Sequence, residues 1–448
     1  MNTEALLKRR RAATATKAAV LKKQSAGPVT VIGLGYVGLP LALRAQRCGY
    51  QVRGFDTDTG RTKEIRDGAP SFLAETEERM LRKHRIAVSD REEILEGSSL
   101  FVICVPTPVH EDGEPDLTPL VSASEAVARH LKHGDMVIIE STVSPGVCES
   151  VSLSLLQAVS GLTGEKDFAF AHCPERINPG DEHWNVRTIP RVLGGLGPKS
   201  LARAKKFYES ILDASIHPMG SIAEAEAVKM VENSFRDVNI AFVNELAMSF
   251  AKAGIDISNV LEGAGTKPFG FVPYTPGCGV GGHCIPVDPY YLIRYGRENG
   301  FEHRFLITAR EINSRMPHYT VDLLETALRE NGRTLAGSTI ALLGLAYKRD
   351  VPDLRESPAL HIQEELIGRG ARVRAYDPFV PEQSDAVSIA DALIGATAVV
   401  LATDHQAFES LSPAMLKRHG VHVLIDGRNF LPKQEFLNAG ITYRGIGR

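Results

Sequence analysis

Short apolar runs recur between residues 28 and 171, and longer stretches with helical spacing separate them. Runs of this length, bounded by glycine and polar residues, are typical of buried strands. Strands that alternate with helices form parallel sheets covered on both faces, so this region is predicted to be a doubly wound α/β domain. The predicted strands are Pro28–Ile32, Gln51–Phe55, Leu100–Val105, Met136–Ile139 and Phe168–Ala171.

The middle of the chain has a different pattern. No proline or glycine interrupts Ile222–Lys252, and its apolar residues recur at helical spacing, so we predict one long helix there. A second helix is predicted to open over Glu302–Met316. A glycine-rich loop, residues 277–284, lies between these two helices. This all-helical region is expected to separate two α/β units.

The last third of the chain repeats the opening pattern. A predicted strand again runs into a glycine, Gly344, but the residues that follow lack the later glycines of the first turn. We therefore predict a second Rossmann-like domain with an altered turn, and an α/β fold of two doubly wound parallel-sheet domains joined by a long central helix. The predicted strands here are Thr339–Gly344, Arg372–Asp377, Ala398–Ala402 and Val421–Ile425.

Composition and charge narrow the classes of function. Hydrophobic residues make up 43% and charged residues 23% of the 448 residues, as in ordinary globular proteins. Residues 1–24 carry seven basic side chains and one acidic one, while the net charge of the chain is −3, so the remainder is acidic and disfavours nucleic acid. No apolar run approaches the roughly 20 residues of a membrane span. Six cysteines without paired spacing indicate free thiols in a reducing, cytoplasmic compartment.

The turn after the first predicted strand carries Gly33-x-Gly35-x-x-Gly38. On its own this spacing is a weak signal, and a glycine turn that binds nothing remains the alternative. A strand precedes it, a helix follows it, and Asp56 ends the next strand. This arrangement predicts a pyrophosphate at the helix N-terminus and a carboxylate near the ribose hydroxyls. The acid favours NAD, while Arg53 and Arg61 leave NADP open.

The glycine-rich loop ends in Cys284, and an acid, Asp288, follows four residues later. Glycines permit close approach of the backbone to a ligand, so the thiol is a candidate nucleophile for a covalent oxidation. The alternative is a packed core thiol, because free cysteines are usually buried and inert. A zinc site is disfavoured: His283 and Cys284 are adjacent and no second pair is spaced for a tetrahedral ion.

Other polar residues are weaker candidates. Lys229 and Asn233 stand four apart on one face of the predicted long helix, which locally favours a solvated face over a site. Thr142 and Glu175 follow predicted strands, and ligands of parallel sheets collect at the carboxyl ends of strands. In the last third, three cations near strand ends suit a phosphate ligand, with surface salt bridges as the alternative. These cations are Lys348, Arg355 and Arg428.

Seven segments, in order, resemble the UDP-glucose/GDP-mannose dehydrogenase family over almost the whole chain. The resemblance implies an NAD-binding domain at 28–218, a central helical dimerisation domain at 219–318 and a UDP-sugar-binding domain at 319–448, after a basic extension at 1–27. It also implies a homodimer that oxidises the C6 alcohol of a UDP-sugar to a carboxylate with two NAD. The segments are Gly33–Leu39, Val105–Pro108, Glu140–Val143, Cys173–Arg176, Glu226–Asn233, Gly279–Cys284 and Arg355–Ala359.

Residue roles follow from the same resemblance. Cys284 matches the nucleophile of the family, which forms a thiohemiacetal and then a thioester. The implied catalytic partners are Lys229, Asn233, Asp288, Glu175 and Thr142. The implied cofactor contacts are Gly33, Gly35, Tyr36, Val37, Gly38, Asp56, Thr107, Thr142 and Arg355. The implied substrate contacts are Glu175, Arg176, Lys229, Asn233, Gly281, Lys348 and Arg428.

Within the family, the segments 233–242 and 281–291 resemble the enzymes that act on UDP-N-acetylhexosamines. Thr266–Phe271 is similar to the N-acetylglucosamine members, and only Lys267 stands near the arginine that N-acetylmannosamine members usually carry. UDP-N-acetylglucosamine is therefore the expected substrate, with UDP-N-acetylmannosamine and then UDP-glucose as alternatives. Two remote alternatives are a two-electron hydroxyacid dehydrogenase and a nucleotide-binding protein without catalytic activity.

Overall fold

The computed structural model describes residues 27–70, 75–110, 114–177 and 183–448. The predicted basic extension therefore lies outside the described residues, apart from Gly27. The chain divides into two compact units, one that ends at Val231 and one that extends from Glu232 to Arg448.

The first unit is built on an eight-stranded sheet with the order β3-β2-β1-β4-β5-β6-β7-β8. Every neighbouring pair is parallel except β6 and β7, which run antiparallel. The predicted doubly wound parallel sheet is thus confirmed, with one reversed pair near its edge. The strands are β1 (Val29–Ile32), β2 (Val52–Phe55), β3 (Ala87–Ser89), β4 (Leu100–Ile103), β5 (Met136–Ile139), β6 (Ala169–His172), β7 (Arg191–Gly195) and β8 (Ile216–Pro218).

All residues of the central strands β1, β4 and β5 are buried because helices cover both faces of the sheet. Two separate apolar clusters, one on each face, form the core. The helices of this unit are α1 (Gly38–Arg47), α2 (Thr59–Asp67), α3 (Glu75–Lys83), α4 (Thr118–His130), α5 (Ser154–Ser160) and α6 (Pro198–Ile211).

A buried polar cluster ties the reversed strand β7 to the rest of the sheet. Glu140, at the end of β5, accepts a hydrogen bond from the Tyr208 hydroxyl at 2.6 Å and one from Arg191 of β7 at 3.3 Å. All three side chains are buried. Both Glu140 oxygens are thus satisfied, whereas Arg191 Nε and Nη2 have no hydrogen-bond partner among the described residues. The ion pair links the start of β7 to the end of β5.

The second unit contains a five-stranded parallel sheet with the order β10-β9-β11-β12-β13. It confirms the predicted second Rossmann-like sheet, in which the first strand of the unit lies between the second and the third. The strands are β9 (Thr339–Leu343), β10 (Arg372–Tyr376), β11 (Ala398–Leu401), β12 (Val423–Asp426) and β13 (Thr442–Gly445). The helices after the central region are α11 (Pro358–Gly368), α12 (Ile389–Ala392), α13 (Pro413–Arg418) and α14 (Lys433–Asn438).

The central helices include α7 (Ile222–Lys252), whose bounds coincide with the predicted helix. The others are α8 (Ile257–Gly265), α9 (Asp288–Glu298) and α10 (Arg304–Glu330). Helix α10 begins within the predicted opening segment Glu302–Met316 and continues to Glu330, with Pro317 inside the helix. A proline costs one backbone hydrogen bond. Apolar side chains after it, such as Val321 and Leu324, are fully buried in the core of the second unit and offset that cost.

Within the described residues, every helix is too short or too polar to serve as a membrane span. Nor does that part of the chain bring three His, Cys, Asp or Glu side chains together where they could bind a metal ion.

Close packing at the first glycine turn sets the position of α1 on β1. A Cβ atom on Gly38 would lie 1.9 Å from the Gly33 carbonyl oxygen, which no side chain can tolerate. A Cβ atom on Gly35 would meet nothing within 4 Å. Position 38 therefore requires glycine for close packing within the protein, whereas position 35 has space for a Cβ atom.

We predict that Gly38→Ala destabilises the first unit by about 3 kcal/mol or more, because the helix must move away from the strand. The matched variant Gly35→Ala should change the free energy of unfolding by less than about 0.5 kcal/mol. Thermal and urea unfolding of the two variants measure the difference. Equal stabilities would show that this contact does not determine the packing of α1.

Candidate active site

The glycine turn and the acid at the end of β2 form one structure. Gly33 has a φ of +87°, and the N–H group of Leu34 donates a 2.7 Å hydrogen bond to Asp56 Oδ2. The N–H group of Asp58 donates to the other carboxylate oxygen at 3.0 Å. Backbone donors thus hold the Asp56 carboxylate beside the turn, at the position where this fold binds a ribose.

The start of α1 is suited to an anion. Its N-cap residue, Val37, makes no capping side-chain hydrogen bond, and the first turn contains no acidic residue. Gly35, Tyr36 and Val37 are partly exposed, and the space beside Gly35 is open. The helix dipole and the open glycine turn favour a pyrophosphate here, so these residues fit a dinucleotide cofactor.

Two arginines lie near the acid. Arg53 donates to the carbonyl oxygens of Ile94 and Glu96, at 3.1 and 2.6 Å. Arg61 lies 3.3 Å from Asp56 Oδ2 and is partly exposed. The guanidinium of Arg53 is therefore engaged by backbone, and Arg61 is paired with the carboxylate that would bind the ribose.

The carboxyl ends of β4, β5 and β6 bring three predicted residues to one edge of the sheet. Thr107, Thr142 and Glu175 follow these three adjacent strands. The Thr107 hydroxyl donates to the Thr142 carbonyl oxygen at 2.6 Å, which joins the first two loops. Burial raises the pKa of Glu175, and the nearby charges of Lys229 and Arg191 oppose this shift.

Arg176 follows Glu175 and donates to the carbonyl oxygen of Pro190 at 2.8 Å. Its side chain is therefore held by backbone next to Glu175. This places the predicted substrate contact Arg176 at the same sheet edge as Thr142.

The prediction that Lys229 and Asn233 lie on a solvated face of α7 is wrong. Lys229 and Asn233 are each only 7% exposed, and Glu226, one turn earlier, is fully buried. The spacing correctly put Lys229 and Asn233 on one face, but that face points inward. Spacing alone does not distinguish a buried polar stripe from a solvated one, because both have the same period.

Glu226 is a residue that the sequence analysis did not identify as part of the site. Its carboxylate accepts hydrogen bonds from the backbone N–H groups of Gly146 and Cys148, at 2.6 and 2.8 Å. The loop that contains Thr142 leads directly into this segment. Burial raises the pKa of Glu226 to about 7, although the two backbone donors favour the charged form. Glu226 therefore fastens the loop after β5 to the helix that carries Lys229.

The glycine-rich segment Gly277–Cys284, hereafter the thiol loop, is anchored along its length. The N–H group of Cys278 donates to the Gly427 carbonyl oxygen at 3.0 Å, and its thiol donates to the Ala402 carbonyl oxygen at 3.3 Å. Further along, the N–H group of Gly282 donates to the Arg355 carbonyl oxygen at 2.9 Å. The loop thus lies against the carboxyl ends of β11 and β12.

The glycines of the thiol loop are required by close packing. A Cβ atom on Gly281 would lie 2.6 Å from Tyr347 Cβ and 2.7 Å from the Glu356 carbonyl oxygen. One on Gly279, which has a φ of +140°, would lie 2.9 Å from Pro358. These positions require glycine because the backbone of the thiol loop packs directly against other residues of the protein.

Cys284 differs from Cys278 near the start of the loop. Cys278 is 1% exposed, whereas Cys284 is partly exposed. Burial raises the pKa of the Cys278 thiol to about 11. A raised pKa lowers the fraction of thiolate, so Cys278 is a poor nucleophile. The alternative of a sealed core thiol at Cys284 is wrong.

A short hydrogen-bonded turn connects Cys284 to two predicted partners. The N–H group of Asp288 donates to the Cys284 carbonyl oxygen at 2.8 Å as α9 begins. The Asp288 carboxylate is buried and accepts a hydrogen bond from the side-chain amide of Asn233. Cys284, Asp288 and Asn233 therefore form one connected group in the second unit.

The three predicted cations of the last third lie in loops near the carboxyl ends of β9 and β12. Arg355 is paired with Asp353 at 2.6 Å, and Arg428 is paired with Asp404 at 3.3 Å. The predicted salt bridges therefore exist, and they hold both guanidinium groups in place. A Cβ atom on Gly277 would lie 2.8 Å from Arg428 Nη1, which puts Arg428 beside the thiol loop. Lys348 is partly exposed in the loop after β9.

The altered turn of the second unit is closed by its own residues. Asp377 occupies the position that Asp56 has in the first unit, and its carboxylate accepts from the N–H groups of Leu345 and Ala346 at 2.7 and 2.8 Å. His405 adds a 2.9 Å contact to the same oxygen, and both His405 and Asp377 are fully buried. This turn does not present a carboxylate to a second ribose.

A cleft of about 700 Å³ opens between α10 and α11, beside the thiol loop. Its lining combines arginines and histidines with three glutamates and includes Gly279 and Val280, but none of Cys284, Lys348 and Arg428. It is therefore not by itself the predicted reaction centre.

Comparisons with known proteins agree with this arrangement. Three consecutive domains of the UDP-glucose/GDP-mannose dehydrogenase family match the sequence: the NAD binding domain at residues 28–212, the central domain at 223–315 and the UDP binding domain at 341–433. The chain belongs to the UDP-glucose/GDP-mannose dehydrogenase family. It is an NAD-dependent dehydrogenase of UDP-sugars, and the predicted cofactor is confirmed.

Its relatives include enzymes for two different sugars. The chain is 37% identical over 415 residues to UDP-N-acetyl-D-glucosamine 6-dehydrogenase of Pseudomonas aeruginosa, covering 91% of this chain and 98% of that protein. It is 39% identical over 425 residues to UDP-N-acetyl-D-mannosamine dehydrogenase of Pyrococcus horikoshii, covering 94% and 99%. The solved structure of the Pyrococcus horikoshii enzyme superimposes with a TM-score of 0.89, at 38% identity and over 94% of this chain and 99% of that one.

We predict that Glu226 makes the stability of the first unit depend on pH. Its folded pKa of about 7 lies above the ordinary 4.5, so its contribution is fully present below about pH 4.5 and is lost as the pH rises through 7. Relative to Glu226→Gln, the wild type should lose roughly 3 kcal/mol of stability across this window. Urea unfolding at several pH values measures the difference, with Glu209→Gln as an exposed control. A pH-independent difference would contradict the prediction.

Proposed function

We propose that this enzyme is a UDP-N-acetylglucosamine 6-dehydrogenase that removes four electrons from the C6 alcohol through a covalent bond to Cys284. The observation that carries the proposal is the partly exposed Cys284, joined through its carbonyl oxygen to Asp288 and thereby to Asn233. UDP-N-acetylmannosamine and UDP-glucose are the alternative substrates. None of the six cysteines, all within the described residues, forms a disulfide bond, which supports the proposed cytoplasmic location.

The proposed cofactor contacts are those of the first glycine turn and the sheet edge. Gly33, Gly35 and Gly38, with Tyr36 and Val37, would receive the pyrophosphate. Asp56 would bind the ribose, and Thr107, Thr142 and Arg355 would complete the site. The open space at Gly35 and the uncapped start of α1 support this assignment. When bound, NAD supplies a hydride acceptor for each of the two oxidations.

The proposed chemistry proceeds on Cys284. The alcohol first loses a hydride and a proton and becomes an aldehyde. The Cys284 thiolate then forms a C–S bond to the aldehyde carbon, and the resulting thiohemiacetal loses a second hydride and a proton to give a thioester. Water breaks the C–S bond and releases the carboxylate and the thiol. Covalent attachment divides one difficult oxidation into easier steps.

The polar groups of α7 and α9 would stabilise the negatively charged oxygen of the covalent adduct. Lys229 and Asn233 stand one turn apart, and both can donate to the oxyanion of the adduct. A cation such as Lys229 also favours a thiolate. Asp288 would accept or orient a proton, which its connection to Asn233 supports.

Hydrolysis of the thioester is assigned to Thr142 and Glu175. Thr142 would hold the water, and Glu175 would act as the general base. Burial raises the pKa of Glu175 towards the working range of a base near neutral pH. The UDP part of the substrate would contact Lys348 and Arg428, with Arg176 and Gly281 nearer the sugar. Cations suit a diphosphate.

The preference for N-acetylglucosamine is supported by the segment Thr266–Phe271 and by the relative from Pseudomonas aeruginosa. The relative from Pyrococcus horikoshii, of similar identity, keeps N-acetylmannosamine as the second candidate. Incubation with each of the three UDP-sugars, with NADH counted against acid formed, decides between them. We expect the highest kcat/KM with UDP-N-acetylglucosamine and two NADH for each acid.

Cys284→Ser is expected to lower acid formation at least a thousandfold while NAD binding, followed by fluorescence, stays within about twofold. The matched control is Cys48→Ser, a partly buried thiol of the first unit outside the proposed site. Wild-type turnover by Cys284→Ser would refute the covalent step. One NADH for each product would instead favour a two-electron dehydrogenase. Protection of Cys284 from iodoacetamide by UDP-sugar would show that the bound substrate covers the thiol.

We also infer a homodimer that forms through the central helices. Phe235 and Phe242 lie on α7 and are 53% and 51% exposed, and Phe269 and Val272 in the following loop are exposed as well. Phe235 and Phe242 stand seven residues, about two helical turns, apart and so share one face of α7. Exposed large apolar side chains on a shared face are typical of a protein interface. A second copy of the chain would cover them.

Phe242→Asp is therefore expected to convert the dimer to a monomer at micromolar concentration, because a carboxylate in an apolar interface is poorly solvated. Val387→Asp, on an exposed apolar residue of the second unit, serves as the control and should leave the mass unchanged. Light scattering coupled to size-exclusion chromatography measures both. A monomeric wild type, or a dimeric Phe242→Asp, would refute this interface.

A further inference from the structure

A chain of buried amides leads from α7 to the start of the thiol loop. The N–H group of Gly277 donates to Asn244 Oδ1 at 3.0 Å, and Asn244 Nδ2 donates to Asn313 Oδ1 at 2.9 Å. Asn313 Nδ2 then donates to Asp237 Oδ1 at 2.8 Å. Asn244, Asn313 and Asp237 are at most 1% exposed, so none of these bonds competes with solvent.

The groups at the two ends of this row of amides fix the donor-to-acceptor direction of its hydrogen bonds. A backbone N–H group can only donate, and an ionised carboxylate can only accept. Asn244 must therefore turn its oxygen towards Gly277 and its nitrogen towards Asn313, and Asn313 must do the same towards Asp237. Any flipped amide would bring two donors or two acceptors together in a buried place, which is costly.

The carboxylate end is itself neutralised. Arg310 of α10 donates through Nη1 to Asp237 Oδ1 at 2.7 Å, and its guanidinium lies 5.8 Å from the centre of the Tyr290 ring on α9. A buried carboxylate needs such a partner. The pair holds the far end of the amide chain between α7, α10 and α9.

The same helix thus holds both ends of the thiol loop. Asn244 binds Gly277 at its beginning, and Asn233 binds Asp288 just after its end. Eleven residues, about 16 Å along the axis of α7, separate these two amides. The helix therefore fixes the distance between the two ends of the loop. A change at either amide would shift one end of the loop relative to the other.

We propose that Asn244 and Asn313 are positioning residues that set the thiol loop so that Cys284 can react. They do not touch the reacting atoms and act through Gly277. The inference rests on the proposed role of Cys284 as the nucleophile. Displacement of a reacting group by about 1 Å can cost about a hundredfold in rate, which is the scale expected here.

The decisive test replaces a hydrogen-bond donor in this row of amides by an acceptor. Asn313→Asp places two carboxylates against each other, and we expect kcat for acid formation to fall 10- to 100-fold while KM for the UDP-sugar stays within threefold. The double variant Asp237→Asn/Asn313→Asp removes the contact between the two carboxylates, but the carboxylate introduced at position 313 still faces the backbone carbonyl oxygen of residue 237, which accepts from Asn313 at 3.0 Å in the wild type. The double variant should therefore recover kcat at least threefold relative to Asn313→Asp, without reaching the wild-type value.

Two further measurements separate positioning from unfolding. The rate at which iodoacetamide alkylates Cys284 without substrate, followed by peptide mass spectrometry, should change at least threefold in Asn313→Asp and shift back towards the wild-type rate in the double variant. Asn244→Leu, which keeps the volume and removes the hydrogen bonds, should repeat the loss of kcat. Circular dichroism melts identify any variant that unfolds.

Unchanged kcat and alkylation in both Asn313→Asp and Asn244→Leu would overturn the inference, as would a double variant that is no faster than Asn313→Asp. Failure of the proposed function looks different. In that case Cys284→Ser keeps its turnover, whereas the alkylation rates still report whether the amides position the loop.

Discussion

The structure depends on a helix whose polar face points inward. Glu226, Lys229, Asn233, Asp237 and Asn244 of α7 are all at most 7% exposed, whereas two phenylalanines of the same helix are half exposed. A buried polar group costs free energy unless it is hydrogen-bonded, so each of these residues specifies what must lie next to it. Glu226 requires the backbone of the loop after β5, and Asn244 requires the start of the thiol loop.

This arrangement gives specificity at the expense of stability. Apolar contacts would tolerate small shifts of α7, whereas a directed chain of amides permits a single register. The thiol loop adds its own constraint, since Gly281 packs against Tyr347 with no space for a side chain. The loop that carries Cys284 is therefore defined by hydrogen bonds on one side and by steric contact on the other.

Much of the fold could be predicted because its signals are local. The turn from β1 to α1, the acid after β2 and the bounds of α7 follow from glycine positions and from the period of apolar residues. The extent of α10 could not be predicted, because Pro317 is a local stop signal that distant core contacts override. The contact of Arg191 in the reversed strand β7 with Glu140 is likewise remote in sequence and leaves no local pattern. The candidate site divides in the same way. The glycines around Cys284 mark it as a candidate nucleophile, whereas the hydrogen bond between Asn244 and Asn313 joins residues 69 positions apart and leaves no pattern in the sequence.

The closed turn around Asp377 has a consequence for the order of events. His405 and backbone N–H groups engage this carboxylate, so the C-terminal sheet offers no second seat for an adenosine ribose at that position. If four electrons leave the sugar, two nicotinamides have to visit the same glycine turn one after the other. The half-oxidised sugar must then stay bound while NADH leaves and a second NAD enters. A covalent bond to the cysteine sulfur would keep it from diffusing away during this exchange.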